Sequence, residues 1–356
     1  MNKMFLRQIL IRIAIAAALL KIFSIFRRQH AFQAYIERRK ITFDDFPESY
    51  AKALNDSVAR NEQPLESDYT STYTGSKIPR TIHYIWFERI YPNHEGSSGG
   101  PSIGFGSPKL CREHNPSYEI RMWNATSARE FLSNEYAWFL PTYDGYRYPV
   151  STLQVSLQLE LMLTFSAHVQ IQKVDALKYF ALYHFGGVYM DLDVACRRSL
   201  DPLLDFPSWF PEASPLGVNN DLMASAAKHP VVKKMTEGLV THNWNLLFPY
   251  LTIFWTTGPQ FTSTILQEWF EACPDGQCNQ GKARNDLDPT SFLVLPRIFY
   301  SEEYTFFGHK PGGSWHGSDV AVVLWFVDRP WAIASVAAAL IGISEEDKGS
   351  PESEGP

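Results

Sequence analysis

The sequence predicts an α/β fold in which helices cover a largely parallel sheet, and three observations support this prediction. Residues 82–87 are apolar on both faces of an extended chain, which is typical of a buried parallel strand. Residues 173–185 carry apolar side chains at helical spacing. Gly186-Gly187 ends that helix, because glycine adopts the left-handed conformation found at helix ends, and residues 188–194 have the pattern of the next strand.

Length and composition allow a sizeable core and exclude one class of partner. The chain has 356 residues, of which 45% are hydrophobic, enough for one large domain. Its net charge is −6, and no basic stripe with interleaved aromatic residues follows the N-terminus. We therefore expect no nucleic-acid partner.

Two aspartates, Asp191 and Asp193, are the central candidates for a functional site. On a strand over residues 188–194 they share a face, with about 7 Å between their Cα atoms. Asp175 lies on the preceding helix, and Lys178 one turn later faces the same way. Carboxylates at the C-terminal end of a strand suit Mn²⁺ or Mg²⁺, and open α/β sheets bind ligands at that end.

The N-terminus carries an apolar run at residues 9–26, interrupted by Arg12, Lys21 and Ser24. If the basic side chains extend toward the headgroups, its length approaches the roughly 20 residues of a membrane span. We predict a basic tail and signal anchor over residues 1–28. The alternatives are a basic amphipathic surface helix and a cleaved signal peptide.

The rest of the chain is expected to divide by composition. Residues 29–77 are polar and mixed and are predicted to form a stem, followed by a catalytic domain over 78–319. Residues 320–343 form an apolar segment, either a re-entrant or interfacial element or a terminal helix packed on the domain. The acidic tail at 344–356 is predicted to be disordered.

Two local patterns complete the prediction. Residues 249–258 are expected to form a strand and a turn. Cys273 and Cys278 bracket the turn sequence Pro-Asp-Gly-Gln, so they either close a small disulfide in an oxidising compartment or remain free buried thiols.

Blocks of sequence in a fixed order resemble glycosyltransferase family 32, the DXD-bearing sugar transferases with a GT-A fold. The blocks are Ile-Pro-Arg-Thr-Ile-His-Tyr-Ile-Trp at 78–86, Asn-Pro-Ser-Tyr-Glu-Ile-Arg-Met-Trp-Asn at 115–124, Asp-Ala-Leu-Lys-Tyr at 175–179 and Gly-Gly-Val-Tyr-Met-Asp-Leu-Asp at 186–193. Further blocks resemble the fungal mannosyl-inositol-phosphorylceramide synthase branch; they lie at 200–204, 217–221, 249–253, 257–259 and 313–316.

This resemblance, which covers residues 78–319, implies an enzyme with a single Rossmann-like GT-A catalytic domain. It implies transfer of mannose from GDP-mannose to inositol phosphorylceramide, with retention of configuration. The implied cofactor is Mn²⁺ or Mg²⁺. The implied location is the Golgi membrane, with a single-pass anchor, a lumenal catalytic domain and an associated regulatory membrane subunit.

The resemblance also implies roles for particular residues. Binding of the donor sugar is expected from Asp175, Lys178, Asn220 and Asp221. Nucleotide binding is expected from His83, Trp86 and Asp191. Metal ligands are expected to be Asp191, Asp193 and His316, with His309 as the alternative to His316. No residue is assigned as nucleophile or general base.

Several of these assignments have a simpler alternative. Asp175 and Lys178 also fit a surface ion pair, and Trp86 also fits an ordinary core tryptophan. The run Asn219-Asn220-Asp221 also fits a plain turn.

The sequence departs from the family pattern at three places. Lys178 stands where relatives carry arginine, and lysine lacks the planar fork of a guanidinium. Val194 stands where many relatives carry a further aspartate. Residues 151–172 are an atypical insertion, either an added surface helix or a gene-model artefact such as a translated intron. These departures leave open a non-catalytic partner subunit, and within the same class of enzyme the alternative is an N-glycan initiating α-1,6-mannosyltransferase.

Overall fold

The computed structural model describes residues 3–60, 78–87, 108–146, 158–214, 216–246, 249–272, 287–300 and 305–309, with Trp325 and Arg329. The α-helices are α1 (Lys3–Arg39), α2 (Glu48–Arg60), α3 (Pro108–His114), α4 (Ala125–Glu135), α5 (Leu140–Gly145), α6 (Gln158–Phe185), α7 (Pro230–Thr241), α8 (Pro249–Thr256), α9 (Pro259–Glu271) and α10 (Arg297–Tyr300). The strands are β1 (Thr81–Ile85), β2 (Glu119–Trp123), β3 (Gly187–Met190), β4 (Val194–Cys196), β5 (Ser208–Pro211), β6 (Leu222–Ser225), β7 (Leu293–Leu295) and β8 (Phe307–His309).

Six of these strands form one mixed sheet in the order β2-β1-β3-β6-β5-β7. β1 is parallel to both β2 and β3, and β5 is parallel to β7. β6 runs antiparallel to its neighbours β3 and β5. Strands β4 and β8 form a separate antiparallel pair. The predicted α/β class is confirmed, with antiparallel pairing at β6 that the sequence did not indicate.

The predicted first strand is buried along its whole length. Tyr84 belongs to the apolar core on one face of the sheet, and Ile85 belongs to the core on the other. Helix α6 contributes Ala176, Leu177 and Phe180 to the same core as Ile85. Burial on both faces explains why β1 lacks the polar alternation of a solvent-facing strand.

The turn from α6 to β3 forms where the glycine pair predicted it. Gly186 and Gly187 have φ of +66° and +101°, in the left-handed region. A Cβ on Gly186 would lie 2.6 Å from the backbone nitrogen of Ala227, and one on Gly187 would lie 2.5 Å from the carbonyl oxygen of Thr81. Both positions therefore need glycine, which brings β3 close to β1 directly after the helix.

The predicted stem is wrong for residues 29–60, which lie in the folded domain. Phe32, Tyr35 and Ile36 on α1 are 0–2% exposed and belong to the core beside β1. The chain then continues as an extra edge segment, where the Ile41 amide donates to the Val294 carbonyl at 2.9 Å. Apolar side chains at helical spacing, dispersed among polar ones, produced the mixed composition that resembled a stem.

The predicted membrane segments are only partly within the described residues. No helix in the described part of the chain has the length and apolar character required to cross a membrane. The predicted segments at 320–343 and 344–356 lie outside the described residues, apart from Trp325 and Arg329.

A disulfide that sequence reasoning missed joins Cys111 on α3 to Cys196 on β4. Both residues are buried, and 85 positions separate them in the sequence. The predicted pair, Cys273 and Cys278, lies outside the described residues. The observed bond ties β4, the strand after Asp193, to α3 within the apolar core that contains Tyr84.

Two further segments can be compared with the prediction. Residues 249–256 form helix α8, so the predicted strand is wrong there; Pro249 opens the helix, and proline at the first helical position is favourable. Residues 158–172 of the predicted insertion form the first part of α6, continuous with the turn that carries Asp175. Residues 151–157 of that insertion lie outside the described residues.

Candidate active site

The two aspartates of the DXD sequence lie in a turn, so the prediction of one strand over 188–194 is wrong. β3 ends at Met190, and β4 begins at Val194. The Val194 amide donates to the Asp191 carbonyl at 3.1 Å, and the Asp191 amide donates to the Asp221 carbonyl at 2.7 Å. The Val194 bond closes the turn, whereas the Asp191 bond continues the pairing of β3 with β6 by one residue. The aspartates therefore lie at the C-terminal end of β3, where ligands bind in such folds.

Asp175 and Lys178 meet this turn from α6. The Lys178 Nζ atom lies 2.9 Å from Asp175 Oδ1 and 3.2 Å from Asp191 Oδ1. The side chains of Lys178 and Asp175 are 5% and 6% exposed, whereas that of Asp191 is 34% exposed. The alternative of a surface ion pair is therefore wrong, and Asp191 is the member of this trio that opens to solvent.

Asn220 and Asp221 come from the loop before β6. The Asn220 amide nitrogen lies 3.3 Å from Asp175 Oδ1 and 3.1 Å from the Tyr179 hydroxyl. Asp221 accepts a hydrogen bond from the Tyr300 hydroxyl at Oδ2. The structure thus brings together four of the predicted residues from three different elements: Asp175 and Lys178, Asp191, and Asn220. Asp221 joins them through its backbone bond to Asp191.

His83 lies in the core, which contradicts its predicted contact with the nucleotide. Its ring is fully buried; Nδ1 accepts from Trp123 Nε1 at 3.2 Å, so Nε2 carries the proton and donates to the Gly186 carbonyl at 2.9 Å. Burial lowers the pKa of His83 to about 4, which keeps the ring neutral. Successive residues of a strand point to opposite faces of the sheet, so the His83 side chain lies on the face opposite Tyr84, against Phe185 and Gly186 at the end of α6.

Trp86 follows the C-terminal end of β1 and is partly buried against the second core. Its backbone amide donates to the Trp123 carbonyl at 2.7 Å, which extends the pairing of β1 with β2 by one residue. This places Trp86 at the same sheet end as Asp191, as a nucleotide contact requires, and its role in binding remains a prediction.

The electrostatics of the cluster are dominated by carboxylates. Burial raises the pKa of Asp191 to about 7; the Lys178 ammonium opposes this, and the charges of Asp193 and Asp221 add to it. Burial alone would lower the pKa of Lys178, but the Asp175 and Asp191 carboxylates raise it well above its usual range. Lys178 is therefore charged, and the surrounding carboxylates outnumber it.

Such a donor set suits a hard divalent cation, which prefers carboxylate oxygens and would relieve the repulsion between Asp191, Asp193 and Asp221. Within the described residues, no three His, Cys, Asp or Glu side chains are already arranged as a complete metal site. His316, the predicted third ligand, lies outside the described residues. β8 nevertheless brings the backbone of His309 opposite Val194, the residue after the DXD turn.

Sequence reasoning missed several polar side chains that hold this site. Tyr189 donates to Asp191 Oδ1, and the Thr257 hydroxyl donates to Asp175 Oδ2 at 3.0 Å. Tyr179 could have been identified from the sequence, because it lies four positions after Asp175 on the same face of α6. Thr257 lies in the block at 257–259 that carries the family resemblance, but no role at the site was assigned to it. Tyr300 had no local signal, because 79 positions separate it from Asp221.

Comparisons with known proteins identify relatives of the chain. Residues 106–209 match the family model described as a glycosyltransferase sugar-binding region containing a DXD motif. Inositol phosphoceramide mannosyltransferase 3 of Schizosaccharomyces pombe is 33% identical over 256 residues, covering 72% of this chain and 60% of the relative. Inositol phosphoceramide mannosyltransferase 2 of the same yeast is 30% identical over 283 residues, covering 77% and 70%.

A third relative is the mannosyl phosphorylinositol ceramide synthase SUR1 of Saccharomyces cerevisiae, 33% identical over 248 residues, covering 69% of this chain and 54% of the relative. Among solved structures, the PaToxG glycosyltransferase is similar with a TM-score of 0.36 and 16% identity, covering 63% of this chain and 78% of that one. A TM-score this low supports no conclusion about function.

Proposed function

This chain belongs to the family of glycosyltransferases whose sugar-binding region contains a DXD motif, and we propose that it transfers mannose from GDP-mannose to inositol phosphorylceramide, with retention of configuration. The observation that carries the proposal is the ion pairing of Lys178 with both Asp175 and Asp191. This pairing places Asp175, a buried carboxylate suited to sugar hydroxyls, next to the DXD aspartates, which are suited to a metal ion and the diphosphate that it binds. The names of the relatives, inositol phosphoceramide mannosyltransferases, support the choice of sugar and acceptor.

In this proposal the domain is of the GT-A type, and Asp191 and Asp193 hold Mn²⁺ together with His316. The bound cation would neutralise the charge that develops on the departing diphosphate. Asp175 and Asn220 hold hydroxyl groups of the mannose, Asp221 holds Asp191 in place, and Trp86 lies beside the guanine. Lys178 keeps the Asp175 and Asp191 carboxylates at a fixed separation, so the sugar and the diphosphate are bound in one orientation.

The proposed location is the Golgi membrane, with the catalytic domain in the lumen. The disulfide between Cys111 and Cys196 supports an oxidising compartment. Four large apolar side chains near the N-terminal end of the described surface support contact with lipid. Leu20, Phe23, Ile25 and Phe26 are 49–70% exposed on α1, beside basic residues. A regulatory membrane subunit is part of the same proposal.

The test is a panel of nucleotide sugars incubated with the purified full chain and Mn²⁺, with and without inositol phosphorylceramide. We expect a mannosylated lipid only when GDP-mannose, the metal and the lipid are all present. Transfer to an N-glycan acceptor in place of the lipid would contradict the proposed acceptor. Absence of transfer from every donor would contradict the proposed activity.

A further inference from the structure

Asp175 is the buried carboxylate of the site, and three protein donors surround it. Lys178 Nζ lies 2.9 Å and Asn220 Nδ2 3.3 Å from Oδ1, and the Thr257 hydroxyl lies 3.0 Å from Oδ2. A carboxylate offers about four acceptor positions. Among the described residues these three donors leave one acceptor position for a ligand, and its direction depends on how the carboxylate is rotated.

Thr257 is held rigidly by its backbone. Its amide donates to the Ile253 carbonyl at 3.1 Å, in the bond that closes the last turn of α8. Its carbonyl accepts from the Tyr179 hydroxyl at 2.6 Å. The main chain of Thr257 is thus fixed from both sides, and only its hydroxyl is left to act on Asp175.

The Thr257 hydroxyl has two possible acceptors for its one proton. Asp175 Oδ2 lies at 3.0 Å, and the Ile253 carbonyl lies at 3.4 Å. The shorter bond is also the one to a charged group, and such bonds are the stronger ones. The hydroxyl therefore donates to Asp175.

Rotation of the Asp175 carboxylate is the degree of freedom that this bond controls. The terminal torsion of aspartate has a broad energy minimum, so the carboxylate turns easily unless both of its oxygens are held. Lys178 and Asn220 hold only Oδ1, and Thr257 is the described residue that holds Oδ2. Without Thr257 the free acceptor position would have no fixed direction.

We propose that Thr257 is a positioning residue, whose hydroxyl fixes the Asp175 carboxylate so that its one remaining acceptor position receives a single hydroxyl of the donor sugar. This inference rests on the proposed function, and it concerns the same site.

The chain offers a matched control in the neighbouring residue. Thr256 and Thr257 are both 0% exposed. The Thr256 hydroxyl donates to the Thr252 carbonyl at 2.6 Å and accepts from Gln172 at 3.0 Å, without contact to Asp175. Thr256→Val and Thr257→Val therefore remove the same group from the same depth, and only one of them releases the carboxylate.

The experiment measures kcat and KM for GDP-mannose in the full chain and its variants, with thermal unfolding as a measure of folding. We expect Thr257→Val to raise KM by about 10- to 100-fold, the contribution of a hydrogen bond to a charged group. Thr257→Ser keeps the hydroxyl and should stay within about threefold of the wild type. Thr256→Val should lose a comparable amount of stability while its KM changes by less than about threefold.

A second readout uses GDP-mannose analogues that each lack one sugar hydroxyl. For the hydroxyl bound by Asp175, the effects of analogue and Thr257→Val should be non-additive, because either change alone removes the same interaction. For the other hydroxyls the two effects should multiply. A purely structural role of Thr257 would give multiplication for every analogue.

The failures are distinguishable. A wild-type chain that transfers sugar while Thr257→Val and Thr256→Val show the same KM would overturn the positioning role and leave the proposed function in place. A wild-type chain that transfers from no donor would overturn the proposed function and this inference together.

Discussion

Lys178 is the residue at which the two halves of the candidate site meet. Its ammonium group lies 2.9 Å from a carboxylate on its own helix and 3.2 Å from a carboxylate on the DXD turn. Lysine at this position lacks the planar fork of the arginine that the family resemblance implies. The buried ammonium group is a point charge, and it is oriented by contact with two carboxylates at once.

Replacing Lys178 by methionine should therefore damage both folding and transfer. It leaves the buried Asp175 carboxylate and the partly exposed Asp191 without their common partner, and the buried one alone should cost about 3–5 kcal/mol in the free energy of unfolding. We expect transfer from GDP-mannose to fall by more than about 100-fold, measured as kcat/KM. Lys178→Arg retains the charge and should keep measurable transfer.

The control for this pair is Lys234→Met, which breaks an ion pair with Glu268 on the surface. Surface pairs contribute about 0–1 kcal/mol, so this variant should behave like the wild type. If Lys178→Met were as stable and as active as Lys234→Met, the bridging role of Lys178 would be refuted.

Two buried histidines predict how stability depends on pH. Burial lowers the pKa values of His83 and His229 from 6.5 to about 4 in the folded protein. The unfolded chain binds protons at these positions below pH 6.5, whereas the folded chain does not. The two histidines therefore leave the free energy of unfolding unchanged above pH 6.5 and lower it as the pH decreases toward 4. At pH 5 each histidine should cost about 2 kcal/mol.

Urea unfolding at pH 7.5 and pH 5 tests this, with His229→Leu as the comparison. The loss of unfolding free energy on acidification should be smaller in the variant by about 2 kcal/mol. An equal loss in the two proteins would mean that His229 is protonated in the folded state.

At the scale of single residues, the sequence was informative where spacing is local. Asp175, Lys178 and Asp191 were found from helical spacing and from a glycine turn, and the structure brings them together. Thr257 and Tyr300 were not found, because their contacts join positions that are distant in the chain. His83 was predicted to contact the nucleotide, because the pattern of a strand buried on both faces does not reveal which face contacts a ligand.

Among the elements, β3 and β4 explain why one strand was predicted in place of two. Each carries apolar residues in extended conformation, so residues 188–194 look continuous. The hydrogen bond from the Val194 amide to the Asp191 carbonyl closes a turn that the sequence pattern does not show. β4 then pairs with β8 instead of the main sheet, so the DXD turn lies where the chain leaves the C-terminal end of β3.

The disulfide makes the position of β4 testable. Cys111 and Cys196 enclose a long loop, because 85 positions separate them, and they hold β4 against α3. Replacing both by alanine should lower the free energy of unfolding by about 2–5 kcal/mol in a denaturant titration. Peptide mapping without reductant should recover the Cys111–Cys196 pair; recovery of both residues as free thiols from protein folded in an oxidising compartment would contradict this assignment.

For the whole molecule, the largest correction concerns where the folded domain begins. Composition placed its start at residue 78, yet core positions occur well before it. These buried residues are Phe32, Tyr35, Ile36, Ile41, Phe46, Tyr50 and Leu54. They are distributed among polar neighbours, so their shared burial became visible only in three dimensions.

Truncation tests this boundary. A chain that starts at residue 78 exposes the core that α1 and α2 cover, and we expect it to be insoluble or to lack a cooperative unfolding transition. A chain that starts at residue 24 keeps every one of those buried residues and should fold and bind GDP-mannose. Cooperative unfolding of the chain that starts at residue 78 would contradict this boundary and support a stem over residues 29–77.

The central claim is that the DXD turn, together with Asp175, binds the metal and the nucleotide sugar. Mn²⁺-stimulated turnover of GDP-mannose, compared between the wild type, Asp193→Ala and Asp144→Ala, tests it most directly. Asp144 is a control carboxylate, because it is exposed and pairs with Arg129 away from the site. We predict that Asp193→Ala lowers turnover by more than about 100-fold while Asp144→Ala stays within about twofold of the wild type. Turnover that Asp193→Ala leaves unchanged would contradict the account.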